Sequence, residues 1–195
     1  MKKILLIALS TLSLLILQVD PVYSQDIYTD IVGKKMSFFK KLEEKNNGKL
    51  YETDGDIIIP GGMAMPIMYR RVQKDKPDLI VNYVFTEKDS LIHTVEYEWD
   101  VTNYGDQKAS VKPLVMQKAF IQKYNELLKL LTARYGASTS KGELADFLKG
   151  DGPEELSKSD SWVTKENTAI ELYAFKSSEY KPVFKIKLYV SPKNS

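Results

Sequence analysis

The chain of 195 residues contains no cysteine, and this absence excludes several kinds of chemistry at once. A protein without thiols forms no disulfides, and it offers neither a cysteine nucleophile nor a zinc–thiolate or iron–sulfur site. Lipid attachment after signal cleavage also needs a cysteine, so a lipoprotein is excluded. The fold must therefore be held together by packing alone, which a chain of this length can achieve.

Histidine and net charge are scarce as well. The single histidine is His93, so a histidine-rich metal site cannot form within one chain, and a Ser-His-Asp arrangement must use this residue or none. Beyond residue 24 the chain carries 26 basic and 25 acidic side chains, because residues 1–24 hold two lysines and one aspartate. Such a balance produces no long-range field of one sign, and nucleic acid is therefore not an expected partner.

The first 24 residues have the pattern of a secretory signal peptide. Lys2 and Lys3 precede an apolar run from Ile4 to Leu17, and small or tolerated residues lead to a cleavage point before Gln25. An uncleaved membrane anchor is the alternative, but the run has 14 residues, whereas spanning a bilayer takes about 20. We therefore expect export to the periplasm or the extracellular space, no stable membrane insertion after cleavage, and one domain over residues 25–195.

Two long helices are predicted from apolar residues that recur at helical spacing. The first extends from Asp26 to about Lys45 and is stopped by Asn46-Asn47-Gly48. The second begins near Pro113 and ends at Gly136. A shorter helix is predicted around Glu143–Lys149.

Runs of alternating or continuous apolar residues predict the strands. Leu79–Phe85 and Leu91–Val101 form a predicted hairpin. Their apolar faces match if the loop has an odd length, most simply three residues drawn from Glu87 to Ser90. The other predicted strands are 57–59, 66–73, 161–164, 168–175 and 183–190.

The resulting order is helix, strands, helix, strands, which is not the strict alternation of a parallel sheet. We therefore predict an α+β fold in which antiparallel strands, in one sheet or two, pack against the two long helices. Each long helix is followed by meandering strands, a loose twofold pattern without a residue-level repeat. This layering resembles that of proteins such as the β-lactamase inhibitor protein, and the resemblance is one of layout alone.

A methionine-rich loop is the most unusual local feature of the sequence. Met63, Met65 and Met68 lie within six residues, and thioethers suit Cu(I). Strand alternation, however, places Met63 and Met65 on one side and Met68 on the other, which argues against a single site. The alternatives are plain packing and a contact loop for a partner, and we expect no metal or cofactor.

Three carboxylates, Glu96, Glu98 and Asp100, share one face of a predicted strand, with successive ones about 6.5–7 Å apart. Glycoside hydrolysis uses two carboxyl groups at such a separation. A row on a solvated face, however, lacks the burial that general acid catalysis needs. The simpler expectation is that these side chains are solvated or form cross-strand ion pairs with Lys185 and Lys187, if the two strands are neighbours.

His93 alternates with apolar residues and is predicted to be a buried neutral side chain on the core face of its strand, with a catalytic base as the alternative. Ser138-Thr139-Ser140-Lys141, followed by Ser159-Asp160-Ser161, resembles the serine β-lactamase motifs only superficially. A Lys-Thr-Gly strand is missing and the chain is shorter. We therefore interpret the match as coincidence.

The last strands place aromatic and basic side chains on the face opposite the predicted core. They are Tyr173, Phe175, Lys185, Lys187 and Tyr189. Exposed side chains of this kind suit a protein or glycan partner, so we expect a non-enzymatic binding domain that uses these residues and the three methionines. Its partner would be another envelope or extracellular protein, with a glycan as the alternative ligand. A carboxylate-based hydrolase that acts on glycans and a structural accessory of an envelope complex are the other functions left open.

Overall fold

The structure is a computed structural model that describes residues 27–52, 58–74, 76–100, 103, 113–144, 156–177 and 183–193. The predicted signal peptide, Ile57 and the connection 178–182 lie outside these residues, as do residues 145–149 of the predicted short helix. Glu143 and Leu144, which are described, are not helical. No helix within these segments is long and apolar enough to cross a membrane.

The described segments contain two helices and eight strands. The first half of the chain comprises α1 (Met36–Lys45), β1 (Lys49–Leu50), β2 (Ile67–Arg71), β3 (Leu79–Phe85) and β4 (Ile92–Asp100). The second half comprises α2 (Pro113–Tyr135), β5 (Thr139–Lys141), β6 (Leu156–Val163), β7 (Thr168–Ser177) and β8 (Val183–Pro192).

These eight strands form one antiparallel sheet in the order β1-β2-β3-β4-β8-β7-β6-β5. The predicted α+β class is therefore confirmed, and the structure has one sheet rather than two. β4 and β8 are antiparallel neighbours at its centre, with Tyr97 paired to Leu188 and Glu98 to Lys187. From this central pair the order is β4-β3-β2-β1 toward one edge of the sheet and β8-β7-β6-β5 toward the other. A twofold axis normal to the sheet would relate two such halves.

Both helices pack on the same face of the sheet and enclose the core. The ring centroid of Phe39 on α1 lies 5.0 Å from that of Tyr83 on β3, and Phe120 of α2 stacks on Phe184 of β8 at 4.4 Å. Because successive strand residues point to opposite faces, alternate residues of the central strands fill this core. They are Leu79, Val81, Tyr83, Val95, Tyr97, Trp99, Ile170, Leu172, Ile186, Leu188 and Val190.

The first helix is shorter than predicted. It begins at Met36 rather than near Asp26, and Gly33 before it has a φ of 67°, which a continuous α-helix cannot include. Its end is as predicted, because Asn47, two residues after Lys45, supplies the left-handed stop with a φ of 56°. The prediction of two long helices is thus wrong for the first helix.

The segment before α1 is held by tertiary contacts instead of helical hydrogen bonds. The N–H of Tyr28 donates to the hydroxyl oxygen of Tyr97, and the Tyr97 hydroxyl donates to the Tyr28 carbonyl, each at 2.8 Å. Ile27 and Ile31 are buried in the core. Their spacing of four residues therefore reflects burial of a non-helical segment and not a helical turn.

The second helix is confirmed with the predicted start and stop. It extends from Pro113 to Tyr135, and Gly136 follows with a φ of 85°, a conformation in which glycine is not strained. Its buried apolar residues recur every three or four positions, as a helix that packs on a sheet requires. They are Phe120, Tyr124, Leu127 and Leu131.

The β3–β4 hairpin is confirmed, but its loop differs from the prediction. The N–H of Thr86 donates to the Leu91 carbonyl at 2.9 Å, so four residues form the loop instead of three. A bulge beside Val84 and Phe85 shifts the register by one residue and so restores the match between the two apolar faces.

The remaining strands are confirmed with one exception. The run 57–59 is predicted to be a buried strand, yet Ile58 is 94% exposed, and neither Ile58 nor Ile59 belongs to a strand. The prediction is therefore wrong, because a short apolar run carries no information on what packs against it.

Candidate functional site

The sheet face opposite the two helices carries most of the predicted contact residues. The register of β4 against β8 places Glu98 opposite Lys187 and Asp100 opposite Lys185. On the other side of β8, Tyr173 of β7 lies opposite Lys187. We call this surface the outer face. Its central residues are Glu96, Glu98, Asp100, Tyr173, Phe175, Lys185, Lys187 and Tyr189.

Acidic side chains of β4 and basic side chains of β8 form a continuous ionic ladder. Lys185 Nζ lies 2.8 Å from Asp100 Oδ2 and 3.1 Å from Glu98 Oε1. Lys187 Nζ lies 3.0 Å from Glu98 Oε2 and also contacts Glu96 Oε1. The predicted cross-strand ion pairs are therefore confirmed, and Glu98 joins the two lysines.

The ladder keeps both lysines charged. Partial burial lowers the pKa of Lys187, but the hydrogen bond and charge of Glu96, together with Glu98, outweigh this effect and raise that pKa above its ordinary value. The pKa of Lys185 is raised in the same way, because Asp100 and Glu98 outweigh burial. Each carboxylate of the row thus contacts a lysine ammonium, whereas a glycosidase uses one carboxyl group to donate a proton to the leaving group.

An open pocket of about 370 Å³ lies beside the ladder, on the side of β3. The register places Asn82 opposite Glu96, and Ile80 opposite Glu98. The Oδ1 atom of Asn82 is buried and has no hydrogen-bond partner in the structure as described. We call this space the ladder pocket. Its lining residues are Tyr51, Met68, Ile80, Asn82, Glu96, Glu98, Asp100, Asn103, Lys185 and Lys187.

Two tyrosines stand on the other side of the ladder. The rings of Tyr173 and Tyr189 meet edge to face with centroids 6.0 Å apart. The Tyr173 hydroxyl donates to Glu171 Oε2 at 2.7 Å, and this hydrogen bond raises the pKa of Tyr173 to about 12. The Tyr189 hydroxyl donates to Glu96 Oε1 at 3.2 Å. These rings and the half-buried Phe175 lie away from the core, as predicted, while their role in binding stays a prediction.

The three methionines of the predicted contact loop have different surroundings. Met68 lines the ladder pocket, whereas Met63 pairs with Thr86 through an isolated bridge before β2 begins. Met65 is 59% exposed. A contact role for these methionines stays a prediction, and so does the expectation that they bind no metal. No group of three or more Asp, Glu or His side chains within the described residues could hold a metal ion.

His93 lies at the bulge of the β3–β4 hairpin and not in the core. Ile92 takes the core position opposite Phe85, and the half-buried His93 contacts Thr94 Oγ1 through Nδ1 at 2.9 Å. The prediction of a buried histidine on the apolar face is therefore wrong, because the one-residue register shift turns this side chain away from the core.

The serine and lysine motifs meet at the edge of the sheet, where β5 pairs with β6. The Ser138 hydroxyl donates to Asp160 Oδ1 at 2.7 Å, and Lys158 Nζ donates to Ser140 Oγ while lying 3.0 Å from Asp160 Oδ2. A lysine that activates a serine must be neutral to accept its proton. Here the Lys158 ammonium and the Ser138 hydroxyl both contact the Asp160 carboxylate, so the cluster links β6 to β5 and to the residue before it.

A second pocket of about 610 Å³ lies between the end of α2 and the β6–β7 turn. Its lining includes Asp30, Arg134 and Lys165. Thr29 closes one side, where its hydroxyl accepts a hydrogen bond from Arg134 at 3.1 Å and contacts the Tyr135 hydroxyl at 2.6 Å. None of the predicted contact residues lines this pocket.

The sequence analysis did not include the pocket residues of β3, although the alternation of residues along this strand predicts the face on which they lie. The alternation that turns Val81 and Tyr83 toward the core turns Ile80 and Asn82 to the outer face. Tyr51 reaches the pocket only because its segment pairs beside β2, through a hydrogen bond from its N–H to the Met68 carbonyl at 3.0 Å. No local sequence pattern predicts that this segment lies next to β2.

Comparison with known proteins assigns no family to this geometry. No family model, no curated protein and no solved structure matches the chain. The similarity of layout noted from the sequence therefore carries no function to it, and the functional argument depends on the outer face itself.

Proposed function

We propose that this protein is an exported binding module that engages another envelope or extracellular protein through its outer face. The observation that best supports this proposal is the ladder pocket with its flanking tyrosines, on a sheet face that neither α1 nor α2 covers. Tyrosine is enriched in protein interfaces, and a polar rim surrounds their centres. The outer face presents both kinds of side chain next to each other.

The edges of the sheet suit a partner less well than the face does. The edge strands β1 and β5 have two and three residues. Very short edge strands protect a sheet from the addition of a further strand. We therefore favour recognition by side chains of the outer face over assembly by strand addition, which a structural accessory of an envelope complex could use.

Export is the part of the proposal that depends on the sequence alone. Lys2, Lys3 and the apolar run from Ile4 to Leu17 support a cleaved signal. The absence of cysteine is also compatible with an oxidising compartment, because the protein has no thiol that could be oxidised there.

The experiment is affinity capture of proteins from the cell envelope of the native host, with three versions of the protein. Tyr173→Ala removes a ring from the outer face, and Lys129→Ala alters an exposed residue of α2 on the opposite side of the molecule. We expect the parent and Lys129→Ala to retain the same partner, and Tyr173→Ala to retain about tenfold less of it. Equal capture by all three, or no reproducible partner, would contradict the proposal.

A carboxylate-based hydrolase that acts on glycans is the second candidate, favoured by one observation. Three carboxylates, those of Glu96, Glu98 and Asp100, line one pocket. Release of reducing sugars from envelope polysaccharide is the test, with Glu98→Gln as the variant. Because every carboxylate of the row is paired with a lysine, we expect no turnover by the parent. Turnover that Glu98→Gln abolishes would replace the binding function with this one.

A further inference from the structure

The outer face carries a row of side chains that is complementary to its own reverse. The registers of β3 with β4, β4 with β8 and β8 with β7 align four residues across the middle of the sheet. In this order they are Ile80, Glu98, Lys187 and Tyr173. An uncharged side chain lies at each end of the row and two opposite charges lie between them. When the direction of the row is reversed, the two charges change places.

Two copies whose outer faces meet can be related by a twofold axis in one of two directions. Facing sheets pack about 10 Å apart, with their strands aligned to within about 30°. An axis along the strands, between β4 and β8, lays β4 of one copy over β8 of the other, so Glu98 faces Lys187. An axis across the strands lays β4 over β4, so Glu98 faces Glu98. Because like charges that face each other suppress an arrangement, the ladder favours the axis along the strands.

The same axis brings the two flanks of the ladder together. β3 and β7 are the strands on either side of the central pair, so β7 of one copy lies over β3 of the other. Tyr173 is thereby placed over the ladder pocket, at the position of Ile80. Ile80 is only 8% exposed, so the surface available to the ring is mainly that of the half-buried Met68 and Tyr51, which also line the pocket.

The next row of the outer face is compatible with this axis as well. In the same strand order it consists of Asn82, Glu96, Tyr189 and Glu171. The axis lays Tyr189 over Glu96 and Glu171 over Asn82. Neither contact brings two carboxylates together, so this row adds no repulsion.

The ladder keeps its own ion pairs in such an arrangement. Lys187 contacts Glu96 and Glu98 of its own chain, so the interface leaves neither partner without an opposite charge. Desolvation offsets much of the attraction between buried ions, and their main contribution is to orientation. The affinity must therefore come from the rings, and tyrosine is among the residues that contribute most to interfaces.

We propose that the outer face binds a second copy of this protein, around a twofold axis that runs along β4 and β8. Each Tyr173 covers the ladder pocket of the other copy, and the ladder sets the orientation. The inference does not depend on the proposed function, although both use the outer face. Self-association keeps this face covered, so a partner protein has to displace the second copy.

The first test is sedimentation equilibrium of the purified exported protein and two variants. We expect the parent to have the mass of a dimer at about 100 µM protein. Tyr173→Ala should weaken the dimer about tenfold, because the ring over the pocket is removed. Lys129→Ala, at an exposed position of α2, should leave it unchanged. A monomeric parent, or equal dimerisation of all three proteins, would overturn the inference.

The second test reverses the signs of the ladder. One variant combines five substitutions, so that β4 becomes basic and β8 becomes acidic while opposite charges remain neighbours within the chain. They are Glu96→Lys, Glu98→Lys, Asp100→Asn, Lys185→Glu and Lys187→Glu. Circular dichroism checks that the variant is folded. We expect it to dimerise with itself as the parent does, because the axis along the strands again lays opposite charges over each other; a folded variant that stays monomeric contradicts the inference.

A mixture of the parent and the reversed variant then identifies the axis. In a mixed dimer the acidic β4 of the parent faces the acidic β8 of the variant, and the two basic strands also face each other. Native mass spectrometry, with one protein labelled with a heavy nitrogen isotope, should show mixed dimers at about a tenth of their statistical share or less. Statistical mixing would mean that another surface forms the dimer, and a preference for mixed dimers would mean that the axis runs across the strands. Either result refutes the inference, and the first test remains decisive if the reversed variant does not fold.

The outcomes separate this inference from the proposed function. If a partner is captured through the outer face and the parent is monomeric, self-association is wrong and the binding function stands. If the dimer shows the expected dependence on Tyr173 and on the ladder while no partner is captured, the proposed function is wrong and self-association stands.

Discussion

In the first half of the chain the helix brings a carboxylate to the helix–sheet interface, whereas in the second half the helix brings a phenol. Glu43 of α1 accepts from Nε and Nη2 of Arg71 on β2, at 2.8 and 2.7 Å, and from the hydroxyl of Tyr83 on β3. The carboxylate under α2 comes from the sheet instead. Asp160 of β6 accepts from the hydroxyl of Tyr124 at 2.6 Å.

Both halves therefore place a carboxylate, a cation and a phenol beneath a helix, with the carboxylate and the phenol exchanged between helix and sheet. The cation of the second half is Lys158, 3.0 Å from Asp160. The sequence has no residue-level repeat, so the equivalence lies in the position of the chemistry and not in the residues. Two helix–sheet units of the same topology can thus satisfy the same buried polar position with different side chains.

The two clusters differ in how completely they exclude water. Glu43 and Arg71 are 0% and 4% exposed, and they form a bidentate pair that is almost completely buried. Lys158 is 9% exposed and contacts Ser140 on the edge strand β5. Its single Nζ atom contacts the carboxylate, whereas Arg71 donates through two nitrogen atoms. Breaking the first cluster should therefore cost more than breaking the second.

The largest effect is expected for Glu43→Gln. The variant keeps the shape of the side chain but leaves the buried guanidinium of Arg71 without its carboxylate, which should lower the free energy of unfolding by about 3–5 kcal/mol. Urea denaturation measures this change. The double variant Glu43→Leu, Arg71→Met removes both charges and should recover most of the loss. If Glu43→Gln lowers the free energy of unfolding by less than about 1 kcal/mol, water reaches the pair in spite of its burial in the structure.

Asp160→Asn is expected to cost less, about 1.5–3 kcal/mol, the range for hydrogen bonds to a charged group. The pH dependence should also change. Burial raises the pKa of Asp160, but the hydrogen bonds from Tyr124, Ser138 and Lys158 outweigh it and hold that pKa below its ordinary value of 3.8. Folding thus favours the ionised form, so this contribution is complete above about pH 4 and is lost as the pH falls through the lower folded pKa.

The measurement is the difference in unfolding free energy between pH 7 and pH 3 for the parent and for Asp160→Asn. The variant should show the smaller difference, because the group whose protonation opposes folding at low pH is absent. Glu171→Gln, an exposed carboxylate of β7, is the control and should change this difference little. An identical pH dependence in all three proteins would mean that Asp160 titrates alike in the folded and unfolded states.

Alternation along each strand predicts which residues lie on the outer face, but it does not predict which strands are neighbours. Period two turned the acidic residues of β4 and the lysines of β8 to the face opposite the core, and the structure confirms both. The contact between them could not be predicted with certainty, since Glu98 and Lys187 are 89 positions apart and only the sheet order makes them neighbours. The ladder pocket depends on the same relation, which explains why Asn82 was missed.

The errors of the sequence analysis lie where tertiary contacts override local spacing. Helical spacing continues through the residues before α1, but Gly33 and the bonds between Tyr28 and Tyr97 hold that segment out of a helix. The position of His93 was wrong because one bulged residue reverses the alternation. By contrast, α2 was correct because its periodicity, its starting Pro113 and its terminal glycine all agree.

The smallest effect compares one turn from each half. Ser90, before β4, and Asn167, between β6 and β7, have φ values of 59° and 58°. This conformation is strained for serine, whereas asparagine tolerates it. Ser90 contributes backbone hydrogen bonds, to the Thr86 carbonyl at 3.1 Å and from Met36 N–H at 2.8 Å, and glycine can form both. Ser90→Gly removes strain but adds freedom to the unfolded chain, so a net gain of about 0.5 kcal/mol is expected.

That gain corresponds to a rise in Tm of about 1–2 °C for a chain of this size, which differential scanning calorimetry resolves. Asn167→Gly should raise Tm by less than half of this, since asparagine relieves less strain on replacement while the entropic cost of glycine is the same. Equal gains at both turns would mean that the strain depends on the backbone angle alone. A lower Tm in Ser90→Gly would mean that the hydroxyl of this residue, and not its backbone, holds the β3–β4 turn against α1.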